Sequence, residues 1–454
     1  MEAQEKENVV SKVKGGVVGA IRGVGDVAGA VVIAVSDVLV TTLRSTRVVG
    51  NELRSLVVDT VTGTVQGVAE VGAEVGAAAK GVLIGTLRGT KDVGASAVDT
   101  IASSISAVMR STAQVSGDVT ATAKGAVEGA IIGAKEVGVG VTEAATAAVT
   151  AVIRGATDVG SEIGMTAKST LIGTLRGTKE VGASAVDTIS CSVSAVIKGT
   201  ADVSGDITTA TKGAVAGAIV GARELGIGAT EAAAASATAV IKSASGVGTE
   251  LGSVAKSSVI GVLHGTKEVG ASAADTIKDS ATAMIKAASS VGGDVASTAK
   301  GAMEGAIVGA RDLGIGASAS ATAAATAIIK SANAVGTEVG STAKAALMGV
   351  LHGSKQVGES TVDMLKVSAG AVVKAAADTG ADLAQTAKKA VEGTIEAAKE
   401  LGVDTTEAAA ATAAGAIKAA GQVSASAGEQ VRNAVTGTIS GIKVVVKEPF
   451  SKSK

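Results

Sequence analysis

The chain has 454 residues, of which 46% are apolar, with a formal net charge of −1, no Trp or Tyr and a single Phe, Phe450. Aromatic side chains supply much of the buried area of an ordinary globular core, so this composition argues against a set of conventional globular domains. The apolar content also argues against ordinary disorder, which combines low hydrophobicity with high net charge. The balanced charge provides no basic footprint for a nucleic acid, so we expect no nucleic-acid partner.

The first predicted segment is a charged N-terminal tail, residues 1–12, which lacks the apolar core of a signal peptide. A single cysteine, Cys191, excludes an intramolecular disulfide. We therefore expect an intracellular, cytoplasmic location, with association at a membrane or lipid surface as the alternative. Residues 313–329 form the longest run without a charge, but they are mostly Ala, Ser, Thr and Gly. They are therefore too weakly apolar to predict a membrane span.

An 11-residue repeat extends from residue 13 to residue 441, which gives 39 units without a slip in register. Close copies of one long run begin at Ala79, Ala167, Ala255 and Ala343, in steps of 88 residues. A lysine recurs every 44 residues, at Lys80, Lys124, Lys168, Lys212, Lys256, Lys300, Lys344 and Lys388. Eleven residues fill about three helical turns, at roughly 3.67 residues per turn. In a strand, an odd repeat would swap the two faces at every copy, so the repeat predicts helix.

The apolar residues of the repeat, with positions lettered a to k, form one stripe that swings to alternate sides in successive units. They occupy positions a, e and i in odd units and a, d and h in even units, which gives the surface a 22-residue period. Charges cluster at positions b, c and j, on the opposite side of the helix. The residues that we expect to form the helix-packing stripe include Ala167, Leu171, Leu175, Val181, Ala185, Gly217, Gly221 and Leu225.

The unbroken register predicts an all-α protein consisting of one very long, continuous amphipathic helix. Its length would be about 680 Å at 1.5 Å per residue. No proline interrupts the repeat, since Pro449 lies in the predicted basic C-terminal tail, residues 442–454. Turns would normally shift the register, which favours the continuous form over a helix folded back a few times. Glycine-rich points such as Gly314 and Gly316 are where such folding would occur.

The chain contains 61 glycines, most of them within the helical register. Each glycine costs roughly 1 kcal/mol relative to alanine in a helix interior, so an isolated helix of this composition should melt in water. Something must therefore cover the apolar stripe. The candidates are a second copy of the chain, which small residues allow to approach closely, and a lipid surface, which accepts a shallow apolar stripe.

Two known classes of protein resemble this sequence. The runs 177–182 and 265–270, both Gly-Thr-Lys-Glu-Val-Gly, are similar to the repeats of synucleins, and the blend of Gly, Thr, Val and Lys resembles the repeat region of perilipins. That resemblance implies a helix that folds on lipid. The apolar positions a, d, e and h also resemble those of hendecad coiled coils. That second resemblance implies a homo-oligomeric coiled coil or filament, straight or slightly right-handed.

Few residues suggest chemistry. His264 and His352 lie 88 residues apart, where other copies have Arg88 and Arg176, and they fit a solvated polar face better than a metal site or a pH switch. Cys191 occupies a place held by a polar residue in other copies. We therefore expect no enzyme, no catalytic residue, no cofactor, no metal and no small-molecule substrate.

These observations predict a structural protein that assembles with itself into a coiled-coil bundle or filament through the Gly/Ala/Val stripe. The alternative is an amphipathic-helix coat on a membrane or lipid droplet. A third hypothesis is a protectant against desiccation or ice. That hypothesis is disfavoured because the threonines do not align at one position of the 11-residue repeat.

Overall fold

The structure is a computed structural model that describes residues 2–23, 26–46, 51–91 and 95–446. Contacts between Cα atoms divide the chain into two compact units, residues 1–228 and 229–454, called unit 1 and unit 2 below. The prediction of an all-α protein is confirmed, since the described residues are overwhelmingly helical.

Unit 1 consists of ten described helices in chain order. They are α1 (Glu2–Gly23), α2 (Val27–Thr46), α3 (Asn51–Glu70), α4 (Val75–Thr90), α5 (Ala97–Gln114), α6 (Val119–Val137), α7 (Val141–Asp158), α8 (Ile163–Val181), α9 (Ala185–Asp202) and α10 (Ile207–Glu224). Helix α1 includes most of the residues predicted as an N-terminal tail.

Unit 2 consists of ten described helices followed by a short hairpin. The helices are α11 (Ala229–Gly246), α12 (Leu251–Val269), α13 (Ala273–Ser290), α14 (Val295–Asp312), α15 (Ala317–Ala334), α16 (Val339–Val357), α17 (Thr361–Asp378), α18 (Leu383–Leu401), α19 (Thr405–Val423) and α20 (Ala425–Val435). Strands β1 (Gly437–Ile439) and β2 (Ile442–Val444) pair antiparallel. Of the predicted basic tail, residues 447–454 lie outside the described residues.

The prediction of one very long continuous helix is wrong, because the described residues form many short helices. The reason lies in the length of the repeating element. A typical helix and the turn that follows it together fill two units of the repeat, so each turn returns the chain to the same place in the 11-residue register. Gly138, Gly160 and Gly182 mark this spacing and have φ angles of 90°, 66° and 69°.

These glycines end the helices in a left-handed conformation that costs glycine little. After α8, the amide of Ala183 donates to the carbonyl of Thr178 and the amide of Gly182 to that of Lys179. This is the Schellman arrangement, which satisfies the last carbonyls of a helix. The next helix begins at once, because Ser184 accepts from the amide of Asp187 as its N-cap. A short connection therefore contains both a stop signal and a start signal.

The N-caps allow a direct test of how this turn chemistry stabilises unit 1. The side chain of Asp118 accepts from the amides of Thr120 and Ala121 at the start of α6. The equivalent cap of α8, Glu162, makes no such bond. We expect Asp118→Ala to lower the free energy of unfolding by about 1 kcal/mol, and Glu162→Ala to change it by much less, in urea denaturation at pH 7.

The same N-cap determines the direction in which the stability of unit 1 changes with pH. Hydrogen bonds from the Thr120 hydroxyl and the Ala121 amide lower the pKa of Asp118. The stability that this carboxylate contributes is therefore present above its unfolded pKa of about 3.9, and it is lost as the pH falls through the lower folded value. The difference between Asp118→Ala and the unmodified chain should shrink below about pH 4.

Within each unit, the helices form two rows. Consecutive helices are joined by short turns and run antiparallel, while the most extensive contacts join helices two apart in the chain. From α4 to α6 and from α6 to α8 the close approaches keep one offset along the chain, with Gly125 against Gly76, Gly129 against Lys80 and Gly173 against Lys124. Because this offset is constant, neighbouring helices of the row are parallel.

The core between these helices is built from small side chains, many of them hydroxylated. Thr170, Thr174 and Thr178 are all fully buried. Each donates its hydroxyl to the carbonyl four residues earlier, at 2.7, 2.8 and 2.8 Å. Because the helix itself satisfies these groups, threonine can occupy a core without a partner on a neighbouring helix.

Candidate functional site

The predicted packing stripe lies inside unit 1. Ala167, Leu171, Leu175, Gly217 and Gly221 are buried, and Ala185 is 8% exposed. The two remaining residues, Val181 and Leu225, are partly buried at or just beyond the ends of α8 and α10. In this structure the stripe therefore packs against other helices of the same chain.

Glycines set the spacing of the even-numbered row. A Cβ atom built on Gly217 would lie 2.3 Å from the carbonyl oxygen of Lys168, and one on Gly221 would lie 2.8 Å from the Leu175 side chain. The corresponding distance from Gly173 to the Lys124 carbonyl oxygen is 2.2 Å. These values are far below van der Waals contact, so the backbones of this row meet directly and no other residue fits at the contact.

The outward side of the even-numbered row carries ion pairs that connect successive helices. In unit 1, Lys80 contacts Glu128 at 2.8 Å and Glu180 at 3.0 Å. Arg176, which lies on α8 together with Glu180, contacts Glu224 of α10 at 2.6 Å. The pairs Lys80–Glu128 and Arg176–Glu224 each join residues that are 48 apart in the chain, so the ion pairs cross the row diagonally.

These ion pairs shift the pKa values of their members in the direction that favours the charged forms. Burial alone would lower the pKa of Lys80, but its hydrogen bonds to Glu128 and Glu180 outweigh burial, so the pKa is raised. The hydrogen bond from Arg176 is the main cause that lowers the pKa of Glu224. Both residues therefore remain charged near neutral pH.

Unit 2 repeats this diagonal with a histidine in place of the arginine. Lys256 contacts Glu304 at 2.6 Å, and the Nε2 atom of His352 lies 3.4 Å from a carboxylate oxygen of Glu400. His352 thus occupies the place of Arg176, as the sequence indicated, on a charged surface of α16. His264 has the equivalent position on α12.

A second series of lysines binds the ends of neighbouring helices in the even-numbered row. The Nζ atom of Lys179 donates to the carbonyl of Glu224 at 2.6 Å, and Lys267 does the same to Leu313 at 3.0 Å. Cations at a helix C-terminus also complement the helix dipole. Much of the charge on the even-numbered row is therefore matched within the chain.

The odd-numbered row of unit 2 differs in this respect. Each of its five helices carries an exposed lysine at the same distance from the start of the helix. Lys330 contacts Asp378 at 2.8 Å. Within the part of the chain that the structure describes, no salt bridge is formed by the other four, Lys242, Lys286, Lys374 and Lys418.

Acidic residues form a parallel row on the same helices. An exposed carboxylate lies in the first turn of four of the five, at Glu231, Asp275, Asp363 and Glu407. The fifth helix, α15, has Ala319 at this place. The acidic and basic rows are one repeat unit apart, or about 16 Å along the helix.

Small residues cover much of the surface between the two rows. An open groove of about 620 Å³ lies between α13 and α15 and is lined by Ala319, Thr322, Ala323, Thr326 and Lys330, among others. Since these residues line one groove, the acidic place and the basic place are on one face. We call the outward side of α11, α13, α15, α17 and α19, with both rows, the odd face of unit 2. Charged side chains also lie between the rows, at Lys278, Asp279 and Lys366.

Sequence reasoning missed these rows although a signal was present. Glu231 and Lys242 both fall at position j of the 11-residue repeat, and the same order of acid and then base recurs there in steps of 44 residues, at Asp275 with Lys286 and at Asp363 with Lys374. Treating all units as equivalent averaged the two signs. Sorting the units by the 44-residue step, which the recurring lysines mark, would have revealed these charges, although only the fold shows that they lie side by side.

The single cysteine is unsuited to nucleophilic chemistry. Cys191 is partly buried on α9, with its Sγ atom 3.3 Å from the carbonyl oxygen of Thr188. Burial is the main cause that raises its pKa, so the thiol stays protonated near neutral pH. Its environment therefore gives no means of activating the sulfur.

Two further kinds of site, a metal cluster and a membrane span, were sought among the described residues. Among the described residues, no cluster of three or more His, Cys, Asp or Glu side chains could hold a metal ion. No helix within the described ranges combines the length and apolarity needed to cross a membrane. The chain matches no protein-family model, and a comparison with curated proteins also gives no match.

Proposed function

We propose that this chain is a structural, non-enzymatic protein that assembles with itself through the odd face of unit 2. The observation that carries the proposal is the pair of exposed, oppositely charged rows on a surface of mostly small side chains. Four lysines of the basic row have no salt-bridge partner in the described part of their own chain. A second copy of the same face would provide the missing carboxylates.

The glycine stripe is less suited to this role than the sequence suggested. Gly217 and Gly221 already face α8 of the same chain. A partner copy would have to displace that helix before it could use the stripe. We therefore place the association on a face that remains exposed, and not on a coiled coil formed through the stripe.

The odd face of unit 2 is large enough for a stable interface. Its helices have 18 or 19 residues, which makes each about 27 Å long. Five helices at an interaxial distance of about 9 Å give a width of about 45 Å. The resulting area of about 1,200 Å² exceeds the roughly 800 Å² per partner of standard protein interfaces.

An anionic lipid surface is the alternative partner, and the row of lysines, with Lys278 and Lys366 beside it, is the observation that favours it. The acidic row on the same face opposes it, because those carboxylates would approach the lipid together with the lysines. The rows are about 16 Å apart, which is beyond the screening length of about 8 Å at physiological salt, so each row acts separately. The charge pattern thus fits a copy of the chain better than a uniformly negative surface.

Sedimentation velocity of the full chain tests this proposal. We expect a concentration-dependent dimer at about 20 mM NaCl that dissociates towards monomer by about 0.5 M NaCl, because exposed ion pairs are screened by salt. A chain that remains monomeric at low salt up to about 100 μM, a range covering weak interfaces, would contradict self-assembly. Co-sedimentation with phosphatidylserine vesicles by that monomer would instead support the lipid surface.

A further inference from the structure

An open groove between α17 and α19 of unit 2 is lined by lysines and by no acidic residue. Its volume is about 440 Å³, and its lining includes the exposed side chains of Lys366, Lys374 and Lys418. Within the part of the chain that the structure describes, none of these three lysines forms a salt bridge. The groove therefore carries positive charge that the chain itself does not neutralise.

The missing acid is a departure from the pattern of the same row. Lys330 of α15 contacts Asp378 of α17 at 2.8 Å, and the two residues are 48 apart in the chain. The residue 48 positions after Lys374 is Gln422, which also lines the groove. A neutral amide, which can donate to an anion, thus takes the place from which a carboxylate neutralises the preceding lysine of the row.

Backbone contacts show that the three lysines surround one point. A Cβ atom built on Gly415 of α19 would lie 2.2 Å from the carbonyl oxygen of Lys366, so these two residues are side by side. Because α17 and α19 run parallel, Lys418, three residues after Gly415, is about level with Gly370 of α17. Lys366 and Lys374 lie one turn before and one turn after Gly370, each about 6 Å along the helix.

The floor of the groove is open at this point because residue 370 has no side chain. A Cβ atom there would meet only the carbonyl oxygen of Gly415, at 3.6 Å, and the side chain of Ala419, at 3.9 Å. The corresponding residues of α11, α13 and α15 are Thr238, Thr282 and Thr326. The place that the three lysines surround is therefore free to hold a ligand.

We infer that this groove binds a small, free anion with several phosphate groups, of the chemical class of inorganic polyphosphate. Each lysine ammonium is a compact charge with three donors on a flexible stem, so three of them match an anion with many charged oxygens. A single carboxylate would neutralise only one of the three. This inference goes beyond the proposed function and does not rest on it, since the ligand is a small anion and not a second copy.

An extended anionic surface, such as a lipid bilayer, fits the groove less well than a free anion. Asp363 and Glu407 are exposed in the first turns of the same two helices. Both carboxylates would approach a flat anionic surface together with the lysines, whereas a small anion above Gly370 stays about two turns away from Asp363, roughly 10 Å. We therefore assign the groove to a ligand that fits within it.

Equilibrium dialysis of the full chain against radiolabelled tripolyphosphate tests the inference, at about 20 mM NaCl and at a protein concentration where sedimentation velocity shows monomer. We expect one anion per chain, with a dissociation constant of about 100 μM or tighter that rises with salt. Lys374→Gln should raise this constant about fivefold or more, because it removes one of the three charges around the ligand.

The matched control is Lys286→Gln, which removes the same charge from an exposed lysine of the same row. Lys286 lines a different groove, between α11 and α13, which also includes Asp279. This control should leave the dissociation constant within about twofold of the original. Equal weakening by both variants would show that the anion responds only to the overall charge of the chain, and would refute the site.

Gln422→Glu provides a test that keeps every lysine. It places a carboxylate where Asp378 stands relative to Lys330, so it should pair with Lys374 and weaken anion binding about fivefold or more. Gln422→Ala removes only the amide and should have a smaller effect. Circular dichroism establishes that the helices persist in each variant, so a loss of binding reports on the groove and not on the fold.

The inference and the proposed function fail in different ways. No binding of tripolyphosphate up to about 1 mM would overturn the inference, as would binding only to vesicles that contain phosphatidylinositol bisphosphate. A chain that never dimerises would defeat the proposed function and leave the anion site intact. If the dimer forms, tripolyphosphate should dissociate it, because the proposed interface uses Lys374 and Lys418. A dimer that the bound anion does not affect would count against that interface.

Discussion

Replacing Gly173 with alanine is expected to destabilise unit 1 by about 2 kcal/mol, even though alanine is the better helix former. A Cβ atom at this place would lie 2.2 Å from the carbonyl oxygen of Lys124 and 2.9 Å from its Cα. These are backbone atoms of α6, so no side-chain rotation can relieve the overlap, and α6 and α8 must move apart. Overpacking of this kind costs about 3 kcal/mol, and the gain in helix propensity returns only about 1 kcal/mol.

Gly19→Ala provides the control in the same unit. Gly19 lies within α1, and a Cβ atom there would meet nothing within 4 Å. Only the propensity term then applies, so this variant should be more stable than the unmodified chain by up to about 1 kcal/mol. Urea denaturation followed by circular dichroism measures both. A Gly173→Ala chain that is as stable as the original would mean that the helices of the even-numbered row are not in direct backbone contact.

Replacing these two glycines with alanine is expected to change the stability in opposite directions, and the sequence alone could not predict which glycine has which effect. Gly19 and Gly173 both lie in the 11-residue register, and both carry the same intrinsic cost in a helix. What distinguishes them is the packing of another helix, since a Cβ atom on Gly173 would overlap the backbone of α6 whereas one on Gly19 would meet nothing within 4 Å. The sequence correctly indicates that something must compensate for the glycines, but the compensation within this structure comes from the same chain.

The helical class and the 22-residue period follow from the sequence, whereas the turns do not. The sequence offers Gly314 and Gly316 as folding points, and the structure places a left-handed glycine at Gly314, with φ 67°, and an N-cap at Gly316. A similar pattern recurs along the described chain. The unbroken register argues against turns only if a turn shifts it, and here each helix with its turn fills two repeat units.

The candidate interface depends on which helices are neighbours, and this is why the sequence alone does not reveal it. Lys242 and Lys286 lie on different helices, with α12 between them in the chain. They form part of one row only because alternate helices lie side by side. The sequence indicates the position of the charges on the repeat, and the fold supplies the separation into rows.

The rows of helices also need protected ends, because an exposed end is a surface onto which a further helix could pack. In unit 1, α2 is the first helix of the even-numbered row. It has Asp37 and Thr41 at the places that correspond to Gly81 and Gly85 of α4. Both residues of α2 are exposed. Without glycine at these places, another helix cannot approach as closely as helices do within the row.

In unit 2, helix α20 and the hairpin cover the end of the rows that is formed by the last helices, α18 and α19. Val431 and Val435 of α20 are fully buried, and Ile439 and Val444 of the two strands are 5% and 1% exposed. They belong to one cluster with buried residues of α17, α18 and α19, among them Val373, Val391, Ile395, Ala413 and Ala416. Lys399 of α18 donates to the carbonyl of Ser440 at 3.1 Å. A backbone carbonyl of the hairpin thus accepts the hydrogen bond of Lys399, just as carbonyls at the end of the next helix accept those of Lys179 and Lys267.

We therefore expect a chain that stops after Ser424 to aggregate into species much larger than the full chain, as measured by light scattering. Removing four large apolar side chains exposes their partners, and each such side chain contributes roughly 1.5–3 kcal/mol when buried. Val431→Asp should act in the same direction, since it places an unpaired charge in the cluster.

Glu429→Ala, at an exposed position of the same helix, is the control and should leave the size unchanged. High salt distinguishes this aggregation from pairing through the odd face, because kosmotropic salts such as sulfate strengthen apolar association while any salt weakens ion pairs. A truncated chain with the same mass as the full chain at every salt concentration would mean that the row tolerates an open end, and that α20 and the hairpin have another role.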